Sequence, residues 1–371
     1  MKFVVTTENL ANSLKRVMPA INSKPSNPVL ANILFVADAE SVMIAGSDFD
    51  VRIETKVPAI VMRPGSITLP AKKLQQIVSV LPSGDVEVSM DDEESQTVSL
   101  DCRKAHYKMH GLAAADYPSA EEFHPDWGFS MSVRELLGSF SKVSYARSTD
   151  ESRKELNGVL LSLRGGIMTV AATDGRRLAL VEKPFQQDLD NSVEGDVILS
   201  FKSVSELLKC LGQDDEVKVG LNQAVASFES SNTRIFTRLR EGRYPNFRSV
   251  IPTSFTQKVA ISRVGFIDVL TRVATIVAGS ENPTMIFDIG ESEMVISASS
   301  QEFGEAHEAM EISLDGAPVR ICFNPDFLIE PLKFLECDQL VIKLNDVFNP
   351  VAIEGDEGFI YVLMPIKPPE A

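Results

Sequence analysis

The chain has 371 residues, a formal net charge of −16 and four cysteines. This length is too great for one ordinary hydrophobic core and indicates two or three domains. Cys102, Cys210, Cys322 and Cys337 lie far apart without a C-x-x-C pair, which argues against a zinc ribbon, a redox motif or a disulfide framework. The acidic charge argues against nucleic acid as a partner, although net charge does not show where the charges sit.

The N-terminal segment MKFVVTTENL reads as a short alternating strand, and it lacks the apolar run of a signal peptide. No apolar run in the chain approaches the length that spans a bilayer. We therefore expect a soluble, cytoplasmic protein with no membrane partner.

A segment with the character of a β-hairpin recurs along the chain. Residues 167–180 read as a strand, a turn at Asp174-Gly175 and a second strand. Ser47, in the similar stretch MIAGSDFDV, lies 126 residues before Thr173, and Ser299, in MVISASS, lies 126 residues after it. This equal spacing predicts three similar domains, at residues 1–123, 124–252 and 253–371.

Each third contains two stretches with the apolar periodicity of an amphipathic helix. Ser132-x-x-Glu135 and Ser203-x-x-Glu206 are predicted capping boxes, Asn324 is a predicted N-cap, and Pro331 should kink or shorten the last helix. The predicted helices are residues 8–18, 71–81, 132–143, 202–211, 263–273 and 325–335.

Short runs of alternating apolar and polar residues predict strands between and after these helices. The runs are residues 33–36, 86–90, 159–163, 216–219, 285–288 and 340–344. Because strands outnumber helices in every third, we expect an α+β fold of three similar domains, each sheet-rich with two helices.

Motifs for catalysis or metal binding are weak. The chain has no phosphate loop and no G-x-G-x-x-G motif, and His106 and His110 lie on a predicted strand rather than on a metal-binding helix. Ser139-x-x-Lys142 lacks the companion motifs of penicillin-binding enzymes. The acidic run 91–94 is interpreted as a solvated turn. We expect no enzyme, no catalytic residue, no metal site and no cofactor.

The charges are unevenly distributed. The six helix windows hold eleven basic and six acidic residues, a net charge of +5, which leaves −21 for the rest of the chain. This separation favours one surface that attracts a polyanion, although helix exteriors often carry Lys and Arg in any case. The helices lack clustered Arg, Asn and Gln for reading base edges, which indicates contact with the nucleic-acid backbone without sequence preference.

Apolar residues with small or basic neighbours also occur where a stable fold does not require them. An apolar groove with a basic rim would suit a short peptide with hydrophobic anchors, and packing between domains is the alternative. The residues are Leu156, Thr173, Gly175, Arg176, Leu178, Pro245, Val250, Met364, Pro365 and Ile366.

Several segments together resemble one family over essentially the whole chain and in the same order. They are the N-terminal MKF, NPVLANIL from Asn27, LNG from Leu156, ATDGRRLA from Ala172, GRYPNF from Gly242 and YVLMPI from Tyr361. The chain resembles the bacterial DNA polymerase III β subunit family, the sliding clamps. The resemblance implies a non-catalytic protein that encircles duplex DNA as a head-to-tail homodimeric ring and tethers the replicative polymerase. Each chain would form half of the ring, with helices lining the hole and sheets outside.

The resemblance also implies where partners bind. A groove between the second and third domains would receive short motifs of the replicative polymerase, the clamp loader and repair proteins, and it adds Arg177 and Val362 to the groove residues above. Subunit contacts would involve Ile276 and Val277 against Tyr107 and Met109 of the strand 105–109, unless Ile276 and Val277 only end a buried helix face. DNA would face Lys15, Arg16, Lys24, Lys72, Lys73, Arg134, Lys142, Lys202, Lys209, Arg263 and Arg272.

Two other functions remain compatible with the sequence. One is a peptide-binding adaptor without DNA encirclement, which would have no reason to separate the charges in this way. The other is a nucleic-acid enzyme, which would show metal-dependent turnover.

Overall fold

The computed structural model describes residues 1–22, 25, 27–90, 96–118, 123–187, 194–211 and 216–367. Lys24 and the acidic run 91–94 therefore lie outside the described residues. The chain forms two compact units. The N-terminal unit comprises Met1–Leu137, Phe185–Val193 and Lys202–Leu239, and the C-terminal unit comprises Gly138–Pro184, Glu194–Phe201 and Arg240–Ala371.

The α-helices of the described chain lie at the six places that the apolar periodicity predicts. They are α1 (Thr7–Val17), α2 (Ala71–Val80), α3 (Val133–Val143), α4 (Phe201–Cys210), α5 (Arg263–Ala274) and α6 (Pro325–Leu332). None of the helices in the described part of the chain is long and apolar enough to cross a membrane.

Each third of the chain contributes nine described strands. The first third has β1 (Lys2–Thr6), β2 (Asn32–Ala37), β3 (Ser41–Ser47), β4 (Val51–Pro58), β5 (Ile60–Arg63), β6 (Gly65–Pro70), β7 (Asp85–Ser89), β8 (Thr97–Cys102) and β9 (Ala105–His110). The second has β10 (Trp127–Ser132), β11 (Gly158–Arg164), β12 (Ile167–Thr173), β13 (Arg177–Pro184), β14 (Gln186–Gln187), β15 (Gly195–Ser200), β16 (Glu216–Leu221), β17 (Val225–Glu229) and β18 (Thr233–Arg240). The third has β19 (Gln257–Ser262), β20 (Met285–Ile289), β21 (Glu293–Ser300), β22 (Gly304–Glu311), β23 (Ser313–Asp315), β24 (Val319–Phe323), β25 (Gln339–Leu344), β26 (Val351–Glu354) and β27 (Phe359–Leu363).

Strand pairing repeats in the same order in all three thirds, and every pair is antiparallel. The first third has the orders β5-β1-β7-β8-β9 and β6-β2-β3-β4. The second has β14-β10-β16-β17-β18 and β15-β11-β12-β13. The third has β23-β19-β25-β26-β27 and β24-β20-β21-β22. The threefold repeat predicted from the 126-residue spacing is therefore present in the topology.

Neighbouring repeats are joined by two further antiparallel pairs. In the N-terminal unit β4 pairs with β18, and in the C-terminal unit β13 pairs with β27. The last strand of a four-stranded order thus pairs with the last strand of the next five-stranded order, and each joint continues the sheet.

The helix ends follow ordinary capping chemistry, with one correction. Asn324 accepts a hydrogen bond from the backbone N–H of Asp326. Helix α6 contains Pro331 and ends one residue after it, at Leu332, so it is shorter than the predicted helix that ends at residue 335. The capping box predicted at Ser203 is wrong. Helix α4 begins at Phe201, two residues before Ser203, so Ser203 lies inside the helix, where its hydroxyl hydrogen-bonds to that of Thr237.

Candidate functional site

The turn between β12 and β13 is held by its own side chains. The Asp174 carboxylate accepts hydrogen bonds from the backbone N–H groups of Arg176 (2.8 Å) and Arg177 (3.0 Å). Thr173 Oγ1 donates to the Arg177 carbonyl at 2.6 Å and accepts from the Gly175 N–H at 3.1 Å. Gly175 has φ +88°, a conformation that glycine adopts without a Cβ penalty. The predicted turn therefore presents a fixed backbone surface.

The C-terminal strand lies directly beside this hairpin. Leu178 of β13 lies opposite Val362 of β27, and the Met364 N–H donates to the Arg176 carbonyl at 3.0 Å. Leu178 and Val362 are buried, whereas the Met364 side chain is 42% exposed. An apolar floor thus has an accessible methionine at its edge.

The segment 243–252 packs against the hairpin. The Tyr244 hydroxyl accepts a hydrogen bond from the Thr173 N–H at 3.1 Å, and burial raises the pKa of Tyr244. Tyr244 meets the Phe247 ring edge to face, and both pack on the apolar cluster that contains Leu160 and Leu178. This packing fixes the segment that carries Val250, whose side chain is 49% exposed.

A groove of about 440 Å³ lies between these three elements. We call this cavity the apolar groove. Eight of the predicted residues line it: Thr173, Gly175, Arg176, Arg177, Leu178, Val250, Val362 and Met364. Six further residues line it: Ser249, Ile251, Pro252, Asn345, Asn349 and Pro350. Of these, the loop residues Asn345, Asn349 and Pro350 were missed by the sequence analysis.

The missed loop 345–350 had one detectable signal. Asp346 accepts from the N–H groups of Phe348 and Asn349, which makes the segment an ordinary polar turn. Phe348 is nevertheless 68% exposed within this turn. A large aromatic residue in an otherwise polar loop is a sequence feature that indicates an interaction surface.

The structure does not bring the other four predicted residues into the groove lining. Leu156 is half-buried in the segment before β11, and Pro245 lines a neighbouring cavity of about 740 Å³. Pro365 is half-buried after β27, and the Ile366 N–H donates to the Cys322 carbonyl at 2.8 Å.

Arg177 lines the groove, but its charge is neutralised within the protein. Its guanidinium donates to Asp174 (3.1 Å), to Glu330 (2.7 Å) and to the Tyr145 carbonyl (2.9 Å), and it lies 4.4 Å from the centre of the Phe327 ring. Burial lowers the pKa of Arg177, but Tyr361, Glu330 and Asp174 together outweigh burial and raise it. Arg177 therefore braces the turn against α6.

Most of the basic helix residues are exposed, among them Lys15, Lys72, Lys73 and Arg134. Several basic residues bind groups of their own unit: Lys73 binds Gln76, Lys142 binds Asp356, Lys202 binds Asp48, Lys209 binds Glu206, Arg272 binds Glu308, Arg16 binds Thr233, and Arg263 binds the carbonyls of Leu332 and Cys337. The positive charge of the helices is therefore partly neutralised.

Two edge strands, β9 and β22, have only one partner among the described strands. In its repeat, β9 is the counterpart of β18 and β27, and β22 is the counterpart of β4 and β13. In the described part of the chain, however, β9 pairs only with β8, and β22 pairs only with β21. On and near these edges Tyr107 and Ile276 are half-buried, whereas Met109 and Val277 are 7% and 3% exposed. Unpaired edges of this kind can add a strand from another chain.

No group of three or more potential metal ligands occurs among the described residues. His106 lies on β9, as predicted, with its ring against Asp101. Cys102, Cys210 and Cys322 are buried and Cys337 is half-buried, and burial raises the pKa of Cys210 to about 12.

Comparison with known proteins assigns the family. Three models of the DNA polymerase III beta subunit match consecutive parts of the chain: the N-terminal domain at residues 1–121, the central domain at 131–246 and the C-terminal domain at 248–367. The beta sliding clamp of Synechococcus elongatus is 31% identical over 375 residues, and that of Chlamydia muridarum 28% over 367 residues; each match covers 99% of both proteins.

Solved structures agree with this result. The sliding clamp from Bacillus subtilis has a TM-score of 0.93 and 26% identity, and the match covers 99% of each chain. A sliding clamp from Pseudomonas aeruginosa bound to griselimycin has a TM-score of 0.94 and 26% identity, again with 99% of each chain covered. The chain therefore belongs to the bacterial DNA polymerase III β subunit family, the β sliding clamps.

Proposed function

We propose that this chain performs the task of its family through three surfaces: the apolar groove, the basic helix residues and the edge strands β9 and β22. Sliding clamps encircle DNA and tether the polymerase, and they are processivity factors without catalytic activity. The observation that carries the proposal is the apolar groove, because exposed apolar side chains surround a rigid turn there. Membership of this family argues against both the free adaptor and the nucleic-acid enzyme.

The groove suits a short peptide with hydrophobic anchors. Val250 and Met364 offer exposed apolar contact area, and the Leu178–Val362 floor is already packed. Arg177 holds the turn from behind, so a peptide meets a preformed site and loses little affinity to reordering the protein. We infer that the replicative polymerase, the clamp loader and repair proteins share this site.

Met364→Asp tests the groove directly. A carboxylate at this edge must lose water when the peptide docks, and the methionine contact is removed, so peptide binding should weaken by on the order of 2 kcal/mol or more. A fluorescence titration with a polymerase-derived peptide measures the loss. Met62→Asp is the matched control, because Met62 is a 55% exposed methionine on β5, in the other unit. Equal affinity of the parent and the Met364→Asp protein would contradict the assignment.

We infer that the subunits close head to tail through β9 and β22, with domains at residues 1–123, 124–252 and 253–371. Three repeats in one chain have two different ends, so one heterologous contact used twice closes a ring. The two edge strands support this contact, because each occupies a position that is paired at the joints within the chain. Tyr107, Met109, Ile276 and Val277 would lie at or beside it.

We further infer that DNA lies against the helices and is held by general attraction. Exposed Lys15, Lys72, Lys73 and Arg134 supply positive charge. Ion pairs such as Lys142–Asp356 and Arg272–Glu308 reduce the total positive charge of the helices. A clamp that slides requires long-range attraction with few fixed contacts, and no base-reading set is present on the described helices. Binding without sequence preference, in the cytoplasm where bacterial DNA is replicated, is the expected result.

A further inference from the structure

The two strand pairs that join neighbouring repeats share one register. In the N-terminal unit Arg52 of β4 lies opposite Phe236 of β18. In the C-terminal unit Leu178 of β13 lies opposite Val362 of β27. Arg52 and Leu178 lie 126 residues apart, as do Phe236 and Val362. The same positions of the repeat therefore face each other at both joints.

Strand β9 can be aligned with β27 through the ladders of its own sheet. Thr6 and Ser262 are the N-caps of α1 and α5, and they provide a common starting point. On the next strand of each sheet, Asp85 lies opposite Thr6 and Gln339 lies opposite Ser262, so Asp85 and Gln339 are equivalent. Two residues further along, Glu87 pairs with Asp101, which pairs with His106. In the other sheet Val341 pairs with Glu354, which pairs with Ile360. His106 is therefore the counterpart of Ile360, and Lys108, two residues on, is the counterpart of Val362.

Strand β22 aligns with β13 in the same way. Thr173 of β12 lies opposite Leu178, and Ser299 of β21 lies opposite Glu305. Thr173 and Ser299 are equivalent by the 126-residue spacing, so Glu305 is the counterpart of Leu178. Transfer of the shared register to the subunit contact then places Lys108 of one chain opposite Glu305 of the other.

The exposure pattern of the two strands supports this register independently. His106, Lys108 and His110 are exposed on β9, whereas the intervening residues are buried or half-buried. Glu305 and His307 are exposed on β22, with half-buried residues between and after them. The transferred register brings exposed positions opposite exposed positions. A slip by one residue in either direction would put His106 opposite a half-buried residue of β22, and it would put Glu305 opposite a half-buried or buried residue of β9.

We propose that Lys108 and Glu305 are specificity-determining residues, whose cross-chain ion pair selects the partner edge and its register. The proposal rests on the proposed head-to-tail dimer. The equivalent positions hold two apolar residues at the Leu178–Val362 joint and Arg52 opposite Phe236 at the other joint, so they carry opposite charges only at the proposed subunit contact. Opposite charges that face each other in an antiparallel pair stabilise it, and like charges destabilise it. The charges at these positions thus distinguish the subunit contact from the joints within the chain.

The groups beside this pair leave it in a polar setting. Ser99 lies next to Lys108 on β8, and Ser299 lies next to Glu305 on β21. Glu305 also lines a cavity of about 500 Å³ together with Lys367 and His307. In the same register His307 lies opposite His106, which is paired with Asp101. Lys108 is therefore the cation that directly faces Glu305 from the other chain.

A charge exchange tests the proposal. Lys108→Glu or Glu305→Lys alone places like charges at both contacts of a homodimer, and the dimer dissociation constant should rise about tenfold. In an equimolar mixture of the two variants, a heterodimer has one contact with both exchanged residues and one with both parental residues. Each contact then carries opposite charges, so the mixture should regain the parental affinity. Sedimentation measures the affinity, and native mass spectrometry of differently tagged chains measures heterodimer content.

The control is a mixture of Lys104→Glu and Glu302→Lys, since this register does not place those exposed residues opposite each other. It should show no preference for heterodimers. Melting temperatures equal to that of the parent would show that the exposed substitutions leave the fold intact. If the parent is dimeric but the Lys108→Glu and Glu305→Lys mixture dissociates like the single variants, the register is wrong and the dimer stands. A monomeric parent would instead contradict the proposed dimer.

Discussion

At the residue scale, two repeats place different residues, a glycine and a phenylalanine, in the same positive-φ backbone conformation. Gly175 has φ +88° at the tip of the β12–β13 turn, and Phe49, its counterpart 126 residues earlier, has φ +77° at the tip of the β3–β4 turn. A residue with a Cβ is strained in this region of φ. Because the Phe49 side chain is 51% exposed, its packing offsets little of the free energy of this strain.

Phe49→Gly should therefore stabilise the protein by about 1 kcal/mol, because glycine adopts this conformation without a clash. Urea denaturation measures the change. The control is Phe348→Gly, since Phe348 is also exposed but has no positive φ. That variant should be no more stable than the parent. A loss of stability in Phe49→Gly would show that the ring contributes more than the strain costs.

Lys142 illustrates a second residue-level effect, because its charge is used within the protein. It lies 2.5 Å from Asp356, whose carboxylate also accepts from the N–H groups of Glu336 and Cys337. Burial raises the pKa of Asp356, but these bonds outweigh burial and hold it below its ordinary value of 3.8. A carboxyl group with a lowered pKa stabilises the fold above its ordinary pKa, and this stabilisation is lost as the pH falls through the lowered value.

Asp356→Asn should therefore cost about 1–3 kcal/mol of unfolding free energy at neutral pH, because Lys142 loses its counter-charge in a partly buried site. The difference from the parent should shrink as the pH falls below 3.8, because the carboxyl group of the unfolded parent takes up a proton there, whereas that of the folded parent does so only at a lower pH. Denaturation series at pH 7 and pH 3 measure both values. A difference that does not depend on pH would mean that the ion pair is not the cause.

At the element scale, the apolar cluster behind the groove occurs twice, but the apolar residue Leu178 that forms the floor of the groove does not. Leu34, Ala45 and Tyr117 form a buried cluster in the N-terminal unit that matches Leu160, Ala171 and Tyr244 in the C-terminal unit. Leu178, however, corresponds to Arg52, whose guanidinium binds Glu54 at 2.7 Å and the Pro118 carbonyl at 2.8 Å. One substitution thus converts an apolar floor into a polar contact.

Periodicity predicted the six helices and the strands because each buries one face, and the resulting pattern of apolar residues is visible in residues that are close together in the sequence. Joints such as β13 with β27 could not be predicted this way, because they pair residues far apart in the chain. The start of α4 at Phe201 was missed because Ser203 matched a local capping signal, whereas its hydroxyl in fact hydrogen-bonds to the hydroxyl of Thr237. Likewise, Asn345 and Pro350 read as a plain turn, and only the tertiary fold brings them to the groove.

The short helical turn Thr275–Val277 after α5 separates two interpretations of its apolar residues. Val277 is 3% exposed and contributes to the core of its own chain, whereas Ile276 is half-buried. Ile276→Asp should therefore give a folded protein with a weakened dimer, and Val277→Asp should lower the melting temperature through a buried charge. Sedimentation and thermal denaturation of the two variants measure these effects. A weakened fold in both variants would show that Ile276 belongs only to the core.

At the scale of the whole molecule, the charges suit retention by topology. The predicted helix windows carry +5 and the remainder −21, so attraction to DNA is confined to one class of surface and repulsion acts elsewhere. Ion pairs such as Arg272–Glu308 reduce the attraction further. Direct binding to linear duplex should therefore be weak and should weaken with added salt.

The central claim is that the protein holds DNA by encircling it. The most direct test loads the protein onto closed circular DNA with a clamp loader, then cuts the circle once and measures retention by gel filtration. We expect the protein to remain with the intact circle and to leave the cut DNA by sliding off its ends. Equal retention on circular and cut DNA would contradict the claim.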